Sequence, residues 1–408
     1  MSVIENWLKE RRITEVECLV PDMAGTPRGK ILPAQKFVRE GGLRLPESLF
    51  MQTVTGHYPD NMGTVHPAEN DMVLVPDTDT IRLVPWATDA TAQVIHDCEH
   101  HDGKPVSISP RYVLRKVLSL YEAEGWKPVV APELEFFLVA KNINPDLPLE
   151  PPVGRSGRQE TARQSYGIDA VNEFDPIFDD LYDYCEAQEL DIDTLIHESG
   201  AAQLEINFLH GDALSRADQA FLFKRTLRET ALRHDMYATF MAKPMGGEPG
   251  SAMHVHQNVE DGEGQNIFSN ADGEPSDLFY NHIAGLQKYV LPAMSIFAPN
   301  VNSYRRIARD EAAPINLKWG YDNRTVGLRV PMASPNARRV ENRVAGSDVN
   351  TYLSLATSLA CGYLGMKEGL QPDEPFDGDA YDLPYGLPRS LEQALGLLDQ
   401  CDPLKDCL

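Results

Sequence analysis

Four short segments of this sequence carry ionisable residues two positions apart inside otherwise apolar runs. PELEFFL places Glu133 and Glu135, and HESGAAQLEINF places Glu198 and Glu205 either side of a small-residue turn. SAMHVHQN places His254 and His256, and RRVENRV places Arg339, Glu341 and Arg343. In a β-strand, residues i and i+2 point to the same face. Each segment can therefore project its charges into one shared pocket. Taken singly, two glutamates on a strand mark the solvated face of a half-exposed sheet, and a lone His-x-His is a structural or surface feature. The flanks argue otherwise for the first segment. Val129-Val130-Ala131 precedes it and Phe136-Phe137-Leu138 follows. Such a strand reads as buried, and a buried carboxylate must be paired or bind a metal. A pocket with five carboxylates and a histidine demands divalent cations. Oxygen-dominated ligation suits Mg2+ or Mn2+ rather than Zn2+.

Arginines then call for anions. Arg305, Arg306, Arg324, Arg329, Arg338, Arg339 and Arg343 fall within one short region of a chain whose net charge is −24. Arginine binds carboxylate and phosphate bidentately, and carboxylates for metals beside arginines for anions is the layout of phosphoryl transfer. Neither GxxxxGK[ST] nor a GxGxxG after a strand is present, which excludes P-loop and Rossmann nucleotide sites. The residues alone point to a metal-dependent enzyme that handles phosphate.

The elements that must position these residues are partly legible. The length of 408 residues suggests two or three domains. Residues 1–100 read as short strands, at 15–20, 71–75 and 80–85, with the turn-rich PDMAGTPRGK between the first two. Helical spacing marks 110–124, 174–188, 215–234 and 391–399, and 353–366 reads as a buried helix. The Pro-, Gly- and Arg-rich stretch 141–166 lacks periodicity and reads as a mobile loop. It either covers an anionic ligand with Arg155, Arg158 or Arg163 or is a solvated surface loop. Apolar residues at 42% and charged residues at 24% are ordinary for a globular chain. The negative charge argues against nucleic acid and anionic membranes as partners. The opening MSVIENWLKERR lacks the apolar run of a signal peptide, and six scattered cysteines fit reduced thiols, so a cytoplasmic location is expected.

These segments, in this order, resemble the glutamine synthetase family. PELEFF, HESGAAQLE, KPMGGEPGSAMHVH and NRTVGLRVPMASPNARRVENR are similar to its ligand strands, its KP…GSGMHxH signature and its arginine-bearing segment; ENDMVLVPD and YDLP are weaker matches. The resemblance implies an α+β fold. A small N-terminal β-grasp-like domain would span 1–100, and a catalytic domain with a curved antiparallel β-sheet flanked by helices would span 101–408. It implies that Glu135, Glu198 and Glu205 hold one Mg2+ or Mn2+, and that Glu133, His254 and Glu341 hold a second that bridges the ATP phosphates. His256, Arg324 and Arg329 would face the nucleotide. Arg306 and Arg343 would clamp glutamate, with Gly250 in the glutamate-binding loop. Arg324, Arg329, Arg343 and Glu311 are the candidate catalytic groups. The implied chemistry is phosphorylation of the glutamate γ-carboxylate by ATP, then displacement of phosphate by an amine.

Two positions depart from the family pattern. Where the family's ammonium site has an Asp, LFMQTVTG puts Met51; where it has a Glu before Ala-Pro, SYRRIARDEAAP puts Ala312, with Glu311 one residue away. Loss of both carboxylates leaves a roomier, apolar wall that suits an alkylamine. The departures resemble the γ-glutamylpolyamine (γ-glutamylputrescine) synthetase branch. The alternatives are a glutamine synthetase in which Glu311 serves, a ligase for a monoamine or ethanolamine, and, last, a non-catalytic structural or sensor protein. The resemblance further implies a homo-oligomeric ring, hexamer or dodecamer, in which Met51 approaches a neighbouring subunit's Arg306 and Arg343. The chain ends soon after 391–399, where family members run on, which bears on assembly more than on chemistry. Tyr381, in YDLP, matches a position that some bacterial members modify and reads more simply as an ordinary loop tyrosine.

Overall fold

The computed structural model describes every residue except Met1, Gly41, Gly42, Thr64, Pro67 and Asp310, and of Ser2 and Val3 only the backbone. The described residues form an α+β protein with two sheets and two apolar cores. The smaller sheet runs Pro27–Pro33, Glu15–Pro21, Thr91–Glu99, Asp71–Pro76, Leu43–Pro46, with the two-residue strand Arg82–Leu83 also on Thr91–Glu99. Its one parallel pairing among the described residues joins Glu15–Pro21 to Thr91–Glu99. Ile4 and Leu8 of the helix Ser2–Glu10, and Phe37 of the helix Ala34–Glu40, cover it with Val16, Cys18 and Val94. The strand expected at 80–85 is reduced to Arg82–Leu83. The chain first turns through Thr78–Thr80, where the Asp77 carboxylate accepts the Asp79 N–H.

The larger sheet is built around Lys127–Ala140. Its path runs Trp319–Tyr321, Leu328–Val330, Val340–Asn342, Met253–Glu260, Lys127–Ala140, Gln203–Phe208, Ile192–His197, and Gly211–Asp212 and Met236–Thr239 pair onto the central strand as well. Fourteen residues let one strand serve four partners. Among the described residues every pairing in this sheet is antiparallel except Trp319–Tyr321 with Leu328–Val330. Alternation along the central strand sends Leu134, Phe136 and Leu138 into the apolar core and Glu133 and Glu135 to the opposite face.

The core face is covered by helices Pro110–Glu122, Ala213–Arg233, Asp277–Tyr289 and Thr351–Glu368. Their ends follow from capping. The Asp212 carboxylate accepts N–H groups at the start of Ala213–Arg233, and Asn350 does so for Thr351–Glu368, which stops at Gly369 in a left-handed conformation, φ +63°. Helices Asp277–Tyr289 and Thr351–Glu368 approach so closely that a Cβ on Gly285 would stand 2.3 Å from the Cys361 carbonyl oxygen. Arg111 ties the small-sheet region to the helix Ala213–Arg233 that covers the larger sheet. Its guanidinium, 1% exposed, donates to Asp77 and Asp97 of the small sheet region and bidentately to Asp218 at 2.9 and 2.8 Å. The Tyr352 hydroxyl donates to the same Asp218 at 2.6 Å.

The 141–166 stretch has no helix or strand, yet it is tied down. Glu160 accepts from buried His197 at 2.8 Å, and Arg163 donates to the Gly247 carbonyl at 2.6 Å. Arg155 faces Asp175 at 3.9 Å. Arg155 and Arg163 thus meet the protein's own carboxylates and carbonyls. The expectation of a mobile loop missed these tethers because they reach residues distant in sequence.

Candidate active site

Strand register assembles the site. Glu133 lies directly opposite His254 on one side and Asn207 on the other; Glu135 lies opposite Glu205; His256 lies opposite Glu341, which is opposite Arg329. Directly opposed residues share a face, so five strands point their polar side chains at one place. Glu198 joins from the turn after Ile192–His197. Its N–H donates to the Gln203 carbonyl, and left-handed Ala202 returns the chain into Gln203–Phe208. The structure therefore brings together all six expected ligands, His256 and the expected Arg306, Arg324, Arg329 and Arg343. Ligand atoms of Glu135, Glu198 and Glu205 lie within 4.8 Å of one another, as do those of Glu133, Glu205 and His254, and those of Glu133, His256 and Glu341. His256 thus joins a ligand grouping that the resemblance assigned to His254; His254 itself stands 3.3 Å from Glu133 and 3.7 Å from Glu341.

The two ends of the cluster differ electrostatically. Burial opposes ionisation of Glu133, but hydrogen bonds from His254 and His256 outweigh it and hold its carboxyl well below the usual range. Burial likewise opposes Glu341, and the Arg343 guanidinium with the two histidines brings it down to about 2. At the other end burial and Glu198 push Glu135 up to about 8. Burial, with Glu133 and Glu135, pushes Glu205 well up, and burial raises Glu198. Burial and Arg343 lower His254 to about 4, so it is a neutral imidazole with a lone pair to offer. Three buried carboxylates that repel one another, beside a neutral imidazole, form a donor set short of positive charge. Those residues fit a hard divalent cation.

The arginines are divided by what they already hold. Arg329 donates to Glu341 at 2.7 Å and Asp322 at 2.6 Å, and Arg343 donates to the other oxygen of Glu341. Both keep a buried Nε without a partner among the described residues. Arg306, 3% exposed, spends its two terminal nitrogens on the carbonyls of Val344 and Arg343. Gly250 lies against it, where a Cβ would stand 2.5 Å from Arg306 Cγ. Arg324 is exposed, makes no hydrogen bond among the described residues and lies close enough to Glu198 to favour its charged form. Arg339 donates to His256 Nδ1 at 3.1 Å. A cavity of about 430 Å³ opens beside Glu133 and His256, lined also by Asn207, His210, Asn336 and Arg339.

Sequence reasoning missed three polar groups. Asn207 donates to Glu133 at 3.0 Å, and Gln203 donates to Glu135 at 3.4 Å and to the Gly250 carbonyl at 3.0 Å. The signal was there: Gln203, Glu205 and Asn207 alternate along QLEIN. The third is Lys243, in the KPMGG segment, whose buried ammonium donates to Glu311. Ala312, next to it, has φ +64°. Met51 ends the turn Glu47–Met51 in the small-sheet region, near Gly63, where a Cβ would meet its Cε at 3.7 Å. Within one chain it is not part of the carboxylate cluster.

The family model for the glutamine synthetase catalytic domain matches residues 107–408. The chain belongs to the glutamine synthetase family. Among curated members of that family it is 33% identical over 411 residues to a glutamate–isopropylamine ligase from Pseudomonas sp., covering 98% of this chain and 89% of that one. It is 34% identical over 398 residues to the γ-glutamylputrescine synthetase PuuA of Escherichia coli, covering 96% and 84%. A glutamine synthetase of Pyrococcus horikoshii is 32% identical over 98% of this chain and 86% of its own. Among solved structures, apo GmaS superposes with a TM-score of 0.85 at 25% identity over 100% of this chain and 92% of that one, and a GmaS/ADP complex does so at 0.86. The two members named for amines and the Pyrococcus horikoshii glutamine synthetase differ by only one or two percentage points of identity, so the acceptor has to be read from the site.

Proposed function

We propose that this chain is an ATP-dependent ligase that joins the γ-carboxylate of glutamate to an alkylamine through γ-glutamyl phosphate, with a polyamine such as putrescine as the acceptor class. The observation that carries the reading is the contrast between the two sides of the site. The carboxylates and histidines gather into metal-ligand groupings, while at the two positions where the family pattern has ammonium-binding carboxylates the sequence has Met51 and Ala312, which would form the acceptor wall.

Glu135, Glu198 and Glu205 would hold one Mg2+ or Mn2+, and Glu133, His254 and Glu341, with His256 close by, a second. Bound cations supply charge neutralisation for the transferring phosphoryl group. Arg324, with its guanidinium uncommitted, and Arg329 face the ATP phosphates. Arg306 and Arg343, backed by Gly250, orient glutamate. The γ-carboxylate oxygen takes the γ-phosphoryl group and ADP leaves; the amine nitrogen then attacks the acyl carbon, the carbon–oxygen bond to phosphate breaks, and the nitrogen sheds a proton. An apolar wall rewards a carbon chain at about 0.8 kcal/mol per buried methylene. Four methylenes contribute on the order of 3 kcal/mol, about a hundredfold in affinity. Ammonia as acceptor would need Glu311, which the structure gives to Lys243.

A division near residue 100 into a β-grasp-like domain and a catalytic domain, a cytoplasmic location and a homo-oligomeric ring of six or twelve are parts of the same proposal. The two cores support the first. The second accords with six free cysteines, five of them buried. Among the described residues no helix is long and apolar enough to cross a membrane. Exposed Val54 and Tyr58, just after Met51, support the third as apolar groups for a neighbour to cover. The test is kcat/KM by phosphate release for ammonium, putrescine, spermidine, isopropylamine and ethanolamine at fixed ATP and glutamate. A preference for ammonium would leave glutamine synthetase as the answer. A preference for monoamines would keep the mechanism and remove the polyamine.

A further inference from the structure

We infer that Lys243 sets the acceptor preference by holding the Glu311 carboxylate out of the amine site. The inference rests on the ligase reading above and names a specificity residue within it. The Lys243 side chain is 7% exposed and that of Glu311 36%, and the ammonium donates directly to Glu311 Oε2. A lysine that deep is costly without a counter-ion, because removing its partner leaves a buried charge uncompensated. Lys243 therefore keeps Glu311.

Lys243 is anchored independently of the bond, and the loop that carries Glu311 is tied at Arg309 and at Ala313. The Lys243 N–H donates to Asn302 Oδ1 at 2.9 Å, and its carbonyl accepts from Asn302 Nδ2 at 2.9 Å. One residue earlier, the Ala242 carbonyl accepts the Ser251 N–H at 2.9 Å and lies 2.6 Å from where a Cβ on Gly250 would be. The lysine is thus anchored at the Gly250–Arg306 corner. The loop after Arg306 is held from elsewhere. The Tyr381 hydroxyl donates to the Ala313 carbonyl at 3.1 Å, and the Arg309 N–H donates to the Tyr385 hydroxyl at 3.3 Å. Ala312, left-handed at φ +64°, turns the chain directly after Glu311. Two tethered segments present an ammonium to a carboxylate beside the very position that departs from the family's ammonium-binding glutamate.

The consequence is chemical. Glu311 is negative, but Lys243 cancels it locally, and a small cation with no carbon chain gains little by entering. An alkylamine forgoes the same attraction but is still held by the burial of its carbon chain. Removing the lysine's charge hands the carboxylate to the acceptor site.

The experiment compares wild type with Lys243→Met, Lys243→Arg and the double variant Lys243→Met with Glu311→Gln. The readout is the ratio of kcat/KM for ammonium to that for isopropylamine, at saturating ATP and glutamate. Lys243→Met should raise the ratio about tenfold or more, equivalent to about 1.4 kcal/mol. Lys243→Arg should keep the wild-type ratio, and the double variant should return to it. An unchanged ratio in Lys243→Met overturns the inference; so does a rise that persists in the double variant, or an equal loss for both acceptors, which would make Lys243 merely structural. Lys243→Gln, which also removes the charge but keeps a polar end, replaces the methionine variant if that does not fold. A wild type that prefers ammonium refutes the ligase reading on that number alone, while the change from wild type to variant still judges the lysine.

Discussion

Replacing Glu135 by glutamine should flatten the pH dependence of stability in the metal-free protein. Burial and the neighbouring Glu198 push this carboxyl up to about 8, from an ordinary 4.5. A folded-state value above the unfolded one means that the native protein keeps a proton which the unfolded chain releases across that interval. Stability therefore falls as pH rises through it. Each pH unit between the folded and unfolded values corresponds to about 1.36 kcal/mol, so full ionisation costs roughly 5 kcal/mol at most, reached above about pH 8. Glutamine has the same shape and never ionises. The unfolding free energy of wild type minus that of Glu135→Gln, both treated with EDTA, should fall by several kcal/mol between about pH 5 and pH 8.5. A difference is needed because other buried groups run the opposite way. Lys224 is lowered to about 7 and His282 to about 3 by burial, but both lie outside the cluster and cancel between the two proteins. Glu341, brought down to about 2, acts only on the acid side, where stability is lost as pH falls through that value. Adding Mg2+ or Mn2+ to wild type should abolish the decline, since a cation at Glu135, Glu198 and Glu205 displaces the proton. Urea unfolding followed by circular dichroism across pH measures all of this. Parallel profiles for the two proteins would refute the reasoning, as would metal stabilisation of equal size at both ends of the range.

Gly250→Ala should raise KM for glutamate about tenfold or more while leaving KM for ATP within about twofold, because the new methyl group strikes Arg306 Cγ at 2.5 Å and the Ala242 carbonyl at 2.6 Å; steady-state kinetics with each substrate varied would show equal changes if that corner does not hold glutamate. Arg111→Met should cost about 3–5 kcal/mol by leaving buried Asp218 without its guanidinium, read as a lower urea midpoint, and a loss under about 1 kcal/mol would mean the network does not tie the small-sheet region to the helix Ala213–Arg233.

Much of the site was legible in the sequence because strand period 2 writes a polar face into an apolar run. Glu133 and Glu135 stand out between Val130 and Phe136, and the register then had little freedom to send them elsewhere. Helices with apolar residues at helical spacing were legible to within a few residues, as for Pro110–Glu122 and Asp175–Ala187, with or without a side-chain cap. Asp277–Tyr289 was not, because Asn281, His282 and Gly285 are buried along with Phe279, Ile283 and Leu286, which erases the amphipathic contrast. Which strand lies beside which is decided by contacts between segments far apart in sequence, and Gly211–Asp212 is too short to leave any periodicity. Lys243 was invisible for a related reason. A lysine between Ala242 and Pro244 reads as a loop charge, and only the fold carries Glu311 to it.

The central claim is that the acceptor is an alkylamine. The most direct measurement is a single-tube competition in which the protein, Mg2+, ATP and glutamate meet equal concentrations of ammonium and putrescine, with products identified by mass spectrometry. The account predicts γ-glutamylputrescine in large excess over glutamine, by about the hundredfold that four buried methylenes provide. Glutamine as the main product would contradict it.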